Sequence, residues 1–175
     1  MRQPSKVLAC VDQSDYASHV TDYAAWAACR LEAPLELLHV IDRHPEVAAD
    51  IDRSGALGVD AQESLLERLS QEEGERSKVI REQGRVFLNA LKARCDDQDE
   101  LRTDTRQRYG QLLSTLKEQE SSVALYVLGR RGQSASHTKR DLGRHVEAIC
   151  RQIRRPIMTV TDDFKAPKSI LVAYD

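Results

Sequence analysis

The chain lacks the long apolar run that a membrane crossing requires, since no segment approaches about 20 consecutive apolar residues. Its first residues, MRQPSK, also lack the apolar core of a signal peptide. Charged residues make up 31% of the chain, and the net charge is −2. This composition is typical of a soluble globular domain. We therefore expect a cytoplasmic protein with no membrane partner.

Cysteine pairs are missing as well. The four cysteines are far apart in the chain and include no Cys-x-x-Cys pair: Cys10, Cys29, Cys95 and Cys150. Three of them fall inside apolar patterns, which favours reduced, structural thiols over ligands or disulfides. The sequence therefore predicts no metal site.

Catalytic motifs are absent too. There is no Gly-x4-Gly-Lys-Ser/Thr loop, no Gly-x-Gly-x-x-Gly after a strand and no Gly-x-Ser-x-Gly elbow. His39 and His44 fall near the expected ligand edge, and a surface position is predicted for them. Because no general base or nucleophile is placed, we expect no enzyme and no catalytic residue. A slow ATP hydrolase is the minor alternative.

Continuous apolar runs are present, and they indicate strands that are buried on both faces. Four such runs are VLACV (7–11), LELLHVI (35–41), VALYVL (123–128) and PIMTV (156–160). The weakly alternating segment LRTDTRQ (101–107) predicts an edge strand.

Helical spacing of apolar residues separates these strands. Ser14 is predicted to cap the first helix, and a long helix is predicted over 60–94, with a polar stretch at 72–76 that protrudes or breaks it. Strands that alternate with helices indicate parallel pairing. The sequence therefore predicts an α/β domain over 5–161, a five-stranded, doubly wound parallel sheet of Rossmann-like type with helices on both faces.

The end of the chain resembles its beginning. VLACVD at 7–12 is matched by ILVAYD at 170–175, after a linker-like segment at 162–167. The match falls where a second copy of the domain would begin. We therefore expect 168–175 to be the first strand of a truncated second domain in a tandem protein.

Two predicted strands end in residues that suit an anionic ligand. Asp12 follows one strand, and Gly129-Arg130-Arg131-Gly132 follows another. If the two strands are neighbours, these residues meet at one crevice beyond the sheet. Glycines let backbone N–H groups approach a phosphate. The region 129–155 holds eight Lys/Arg against two acids. This local basic zone favours a phosphate-bearing small ligand over a long nucleic acid.

Residues 5–161 resemble the universal stress protein (UspA-like) superfamily. The resemblance is carried by KVLACVDQSDYA, LLHVID, LGRRG, Gly143 before a helix, and RRPIMTV. It implies an adenine nucleotide alpha hydrolase-like fold and a stress-response binding or signalling module. Many family members bind ATP through Gly-x2-Gly-x9-Gly-Ser/Thr.

Carried onto this chain, the resemblance implies an ATP site, with magnesium as a companion. Asp12 would hold the adenosine end, and the backbone of Val40 would meet the adenine. Gly129 and Gly132, with Arg130 and Arg131 between them, would cradle ribose and phosphates. Gly143 and Arg144 would hold the outer phosphates.

The chain departs from that pattern at two points. Ten residues separate Gly132 from Gly143, and Arg144 stands where the family has a small hydroxyl. The lost hydrogen bond is worth about 1 kcal/mol or more. Two interpretations stay open: a nucleotide-binding module, or a degenerate half that serves as a structural partner of the second domain.

The resemblance also implies how the domain associates. Family members pair through their last strands, and an exposed sheet edge favours pairing with another chain. We expect the second domain to pair with the strand at 156–160 in the intact protein, and a homodimer to form through this strand otherwise.

Overall fold

The structure is a computed structural model, and it describes residues 5–41, 59–95, 101–130 and 144–173. The strands are β1 (Lys6–Cys10), β2 (Leu35–Ile41), β3 (Thr103–Tyr109), β4 (Val123–Gly129) and β5 (Ile157–Val160). The helices are α1 (Ala17–Arg30), α2 (Val59–Cys95), α3 (Leu112–Gln119) and α4 (Arg144–Gln152). This order of elements confirms the predicted alternation of strands and helices.

The five strands form one parallel sheet in the order β3-β2-β1-β4-β5. The central strand β1 pairs with β2 on one side and β4 on the other. Val7, Leu8 and Ala9 of β1 have no exposed surface. A continuous apolar run is what a strand needs when both faces are covered.

Each face of the sheet carries its own apolar cluster. One cluster joins Val7, Ala9 and Leu37 to α1 and α2. The other joins Leu8 and Tyr126 to α3 and α4. Successive residues of a strand point to opposite faces, so one run of apolar residues supplies both clusters. The sheet is doubly wound, with helices on both faces as predicted.

The edge strand β3 is displaced from its predicted position. It runs over Thr103–Tyr109 and not over 101–107. Only Thr103 of this strand is buried, and the other residues are exposed or half-buried. Because β3 lies at the edge of the sheet, it carries little apolar pattern from which its bounds could be predicted. Gly110 follows it with a φ of +129°, a backbone conformation that favours glycine.

The long helix α2 is continuous through 72–76, so of the two predicted outcomes, a protrusion or a break, the break does not occur. Gly74, Glu75 and Arg76 are exposed, and a single glycine in a helix costs only about 1 kcal/mol. Among the residues of α2 whose side chains are described, Leu88 and Leu91 are buried and join the first cluster. None of the helices in the four described ranges is long and apolar enough to cross a membrane.

The chain after β5 lies against α1. The Tyr23 hydroxyl donates to the carbonyl oxygen of Asp163 at 3.4 Å, and the rings of Tyr23 and Phe164 are 5.0 Å apart, edge to face. Beyond this contact, Ile170, Leu171 and Val172 are 86%, 96% and 79% exposed and belong to no strand. The assignment of 168–175 to a second domain stays a prediction, and 174–175 lie outside the described residues.

Candidate functional site

The register of the sheet aligns three of the predicted site residues. Cys10 pairs with Leu38 of β2 and with Leu128 of β4. Asp12, Val40 and Arg130 each lie two residues beyond this paired row. They therefore lie at the carboxyl ends of three neighbouring strands. The condition that the strands before Asp12 and Gly129 be neighbours is met.

The helices that follow the two central strands lie on opposite faces of the sheet. After β1 the chain enters α1, which packs on the first cluster, and α4 after β4 packs on the second. The strand order also reverses here, because β1 is followed by β2 on one side whereas β4 and β5 lie on the other. This is the switch point at which open α/β sheets bind ligands.

Asp12 is held by the turn that follows it. Its Oδ1 accepts a hydrogen bond from the Ser14 backbone N–H at 3.3 Å and another from the Ser14 hydroxyl. The prediction that Ser14 caps α1 is therefore wrong. The helix begins at Ala17 after Tyr16, which makes no side-chain cap, and the Ser14 side chain orients Asp12 instead. A strand-end carboxylate competes successfully for a nearby hydroxyl.

His39 is buried beneath the same edge. The residue is 9% exposed, and its Nδ1 lies 3.0 Å from the carbonyl oxygen of Val11. The predicted surface position for His39 is therefore wrong. A polar residue inside the apolar run LELLHVI is the signal in the sequence that points to a buried contact. His44 lies outside the described residues.

The glycine loop is described only at its start. Gly129 ends β4 opposite Val160, and the Arg130 N–H donates to the Val160 carbonyl oxygen at 2.8 Å. These bonds fix the backbone from which the loop departs. Arg131, Gly132 and Gly143 lie outside the described residues. Arg144 is the first residue of α4, and only its backbone is described.

A cavity of about 310 Å³ opens beside the crevice, between the start of α1 and the chain after β5. It is lined by Asp15, Tyr16, His19, Thr161, Asp162 and Asp163. The His19 Nε2 lies 3.3 Å from Asp163 Oδ1. Three carboxylates in the lining repel anions, so phosphates are not expected in this cavity. The glycine and arginine side of the crevice suits them better.

Cys10 is the last residue of β1, and the acidity of its thiol is strongly perturbed. Burial raises the pKa of Cys10 far above its usual range, and the charges of Asp12 and Glu36 add to the rise. A protonated thiol is neither a nucleophile nor a metal ligand at neutral pH. Within the described ranges no cluster of His, Cys, Asp and Glu is suited to hold a metal ion.

The sequence matches the universal stress protein family over residues 4–161. It is 28% identical over 170 residues to the universal stress protein Slr1230 of Synechocystis, covering 97% of this chain and 59% of the relative. The chain thus spans somewhat more than half the length of that relative.

Solved structures share the fold. The hypothetical protein MJ0577 is 17% identical, with a TM-score of 0.64 over 93% of this chain and 99% of its own. UspA of Lactobacillus plantarum is 20% identical, with a TM-score of 0.55 over 90% and 98%. A universal stress protein solved in complex with cAMP is 16% identical, with a TM-score of 0.55 over 91% and 98%. At these identities the likeness shows the fold.

Proposed function

Since the chain belongs to the universal stress protein family, we propose that its domain binds an adenine nucleotide, ATP with Mg²⁺, at the tips of β1, β2 and β4. Binding, and not catalysis, is the proposed activity, with the bound or free state serving as a signal in a stress response. The ligand is held where the strand order reverses.

One observation carries this proposal: Asp12, Val40 and Arg130 each lie two residues beyond the paired row of Cys10, Leu38 and Leu128 on three adjacent strands. Neighbouring strands lie about 4.8 Å apart, so three tips span roughly the length of a nucleoside. An acid, a backbone edge and a cation are thereby offered to a single ligand.

Each residue has a part that its chemistry suits. The Asp12 carboxylate, oriented by Ser14, accepts hydrogen bonds from the hydroxyls of the ribose. The backbone of Val40 meets the edge of the adenine. Gly129 lets the ligand approach the main chain, and Arg130 supplies positive charge for a phosphate.

The outer phosphates and Mg²⁺ are assigned to the remainder of the loop. Arg131, Gly132, Gly143 and Arg144 are proposed to contact them, with the forked guanidinium of Arg144 in place of the family's hydroxyl. The relative that was solved with cAMP supports an adenine nucleotide as the ligand class.

A second candidate is favoured by the same departure from the family pattern. Arg144 in the place of a small hydroxyl, together with one extra residue in the loop, fits a half that no longer binds nucleotide. Such a half would act as a structural partner of another universal stress protein domain. The longer Synechocystis relative and the repeated VLACVD-like segment support a tandem arrangement.

Thermal unfolding with and without millimolar Mg-ATP separates the two candidates. A ligand present at 100 times its dissociation constant adds about 2.7 kcal/mol of stability, which is an upward shift of several degrees in Tm. No shift up to 10 mM favours the structural half. A shift without release of phosphate supports a sensor, whereas steady phosphate release would contradict the absence of catalysis.

We propose further that β5 is the surface of association. It is an edge strand of only four residues, and its outer hydrogen-bonding groups suit pairing with another chain. A homodimer is expected for this chain, and the second domain takes that place in a tandem protein. Sedimentation at micromolar concentration tests this, and a monomer throughout would contradict it.

A further inference from the structure

A buried histidine contacts the tip of β1 from the face that α1 and α2 cover. His39 Nδ1 lies 3.0 Å from the carbonyl oxygen of Val11. A carbonyl oxygen only accepts hydrogen bonds, so the Nδ1 of His39 carries the proton in this contact. The imidazole is therefore a donor whose acceptor is the peptide group just before Asp12.

The Val11 residue is thereby held on both sides. Its N–H donates to the Leu38 carbonyl oxygen at 2.9 Å, and its own carbonyl oxygen accepts from His39. The peptide group is planar, so the carbonyl of Val11 turns together with the nitrogen and Cα of Asp12. Fixing that oxygen fixes the direction in which Asp12 leaves the sheet.

The ring itself has little freedom to move. Phe87 of α2 packs against it edge to face, with the centroids 5.4 Å apart. The same helix approaches closely at Gly84, where an added Cβ would lie 3.3 Å from His39 Cδ2. A donor held in place before the ligand arrives costs little ordering entropy on binding.

We propose that His39 is a positioning residue for the nucleotide site. Its Nδ1–H holds the Val11–Asp12 peptide so that the Asp12 carboxylate stands at the crevice between β1 and β4. The expected effect on binding rests on the proposed function, whereas the hydrogen bond can be tested without any nucleotide.

Two substitutions separate the hydrogen bond from the packing. Asparagine places an amide nitrogen where the imidazole has Nδ1, and leucine keeps more of the volume but donates nothing. We expect His39→Leu to bind Mg-ATP about 5- to 10-fold more weakly. We expect His39→Asn to stay within about 2-fold of the wild-type affinity. Phe87→Leu, which loosens the ring but keeps the donor, should also stay within about 2-fold.

The two variants are expected to rank in the opposite order by stability from their order by affinity for Mg-ATP. His39→Asn leaves the larger cavity and should unfold at a lower urea concentration than His39→Leu. An affinity that simply followed stability would mean that His39 only fills space. That result, or equal affinities of His39→Leu and the wild type, would overturn the proposal.

The measurement without nucleotide uses the wild-type protein first. Nitrogen NMR of the imidazole should show the Nδ1–H tautomer of His39. The amide of Ser14, which donates to Asp12, should exchange with solvent about 10-fold faster in His39→Leu than in the wild type or His39→Asn.

The two proposals fail in different ways. If the wild type shows no affinity for Mg-ATP but the tautomer and the exchange rates are as expected, nucleotide binding is wrong and the positioning role stands. An Nε2–H tautomer, or unchanged exchange in His39→Leu, overturns the positioning role even where Mg-ATP binds. Should His39→Leu not fold, the tautomer in the wild type decides.

Discussion

Two carboxylates on adjacent strands, Glu36 in β2 and Asp12 after β1, lie toward opposite ends of the sheet and in different surroundings. The side chain of Glu36 is 8% exposed, and Lys6 Nζ lies 2.9 Å from its Oε2. Arg106 Nη2 lies 3.3 Å from the same oxygen. Asp12 is held by the hydrogen bonds of its own turn. The first acid forms ion pairs within the fold, and the second belongs to the proposed nucleotide site.

The amino end of the sheet is thus stabilised by a buried polar cluster. Lys6 also donates to Gln119 Oε1 at 2.7 Å, which links β1 to the end of α3. Glu36 Oε1 and Gln119 Nε2 are buried and have no hydrogen-bond partner within the described part of the chain. An acceptor and a donor at the two sides of one lysine are suited to an ordered water.

Removing the lysine is expected to have the largest effect on stability. Lys6→Met leaves the Glu36 carboxylate buried, with Arg106 as its remaining ion-pair partner among the described residues, and we expect a loss of about 3 kcal/mol in the free energy of unfolding. Urea denaturation measures this. The affinity for Mg-ATP of the folded variant should be unchanged, because the cluster lies at the end remote from the site.

The matched control is the double variant Lys6→Met/Glu36→Leu. Replacing both charges by apolar groups removes the burial penalty, so most of the lost stability should return. A double variant as unstable as Lys6→Met would show that the carboxylate is not the cause. In that case Glu36 would not have the stabilising role that distinguishes it from Asp12.

The opposite outcome is expected at the carboxyl end. Asp12→Asn removes a charged acceptor from the proposed site, and the affinity for Mg-ATP should fall about 10- to 100-fold. The free energy of unfolding should change by less than about 1 kcal/mol, since a partly exposed turn is affected. Calorimetric titration tests the predicted loss of affinity, and urea denaturation tests the predicted small change in stability. An unstable Asp12→Asn variant with full affinity for Mg-ATP would show that Asp12 stabilises the fold and does not bind the nucleotide.

The close approach of α2 beneath the site gives a third test. A Cβ at Gly84 would overlap Gln107 Nε2 and would lie 3.3 Å from His39 Cδ2, whereas a Cβ at Gly74 meets nothing within 4 Å. Gly74→Ala should stabilise the protein by about 1 kcal/mol through helix propensity. The free energy of unfolding of Gly84→Ala should be about 2 kcal/mol lower than that of Gly74→Ala, because the strand side chains must shift. Equal values in urea denaturation would mean that Gln107 swings away freely.

The smallest effect concerns Cys10, whose pKa is raised by burial and by both Asp12 and Glu36. In the unfolded chain a thiol ionises above about pH 8.5, while folded Cys10 stays protonated. The unfolded state then holds fewer protons than the folded one, so stability falls as pH rises. The stability that the protonated Cys10 contributes is fully present below about pH 8. It declines by up to about 1.4 kcal/mol per pH unit above pH 9.

Urea denaturation at pH 7.5 and 9.5 measures this decline. Burial also raises the pKa of Tyr126, with the charge of Glu120 adding to the rise. Its phenol therefore also lowers the stability as pH rises above about pH 10. In Cys10→Ala the fall between the two pH values should shrink by about 1 kcal/mol. An unchanged fall would show that Cys10 ionises normally in the folded protein.

Much of the fold could be predicted from local patterns. The four apolar runs coincide with β1, β2, β4 and β5 to within one residue at every bound, because strands buried on both faces need continuous apolar residues. The observed bounds of the edge strand β3 lie two residues beyond the predicted ones, since its exposed positions do not require apolar residues. Of the two outcomes predicted for 72–76 in α2, a protrusion or a break, the break does not occur because a short polar stretch on an exposed helix is compatible with helical hydrogen bonding.

The candidate site divides in the same way. Asp12, Val40 and Gly129 were predicted from strand ends and from a family resemblance, and their tips do adjoin in the sheet. Ser14 and His39 were misassigned, because their partners, the Asp12 carboxylate and the Val11 carbonyl oxygen, depend on side-chain directions and on a contact 28 residues away. The contacts made by the glycine loop with a ligand remain a prediction.

The sequence by itself determined the α/β class, the number of strands and the residues that end them. Burial on two faces requires a continuous apolar run and a helix requires apolar residues at helical spacing, and both are patterns among residues close together in the chain. Only the tertiary structure decided which strand tips stand side by side, that Glu36 is neutralised by Lys6 and Arg106, and that His39 supports the tip of β1. The physical reason is that strand order and side-chain partners arise from hydrogen bonds and charges between residues far apart in the chain.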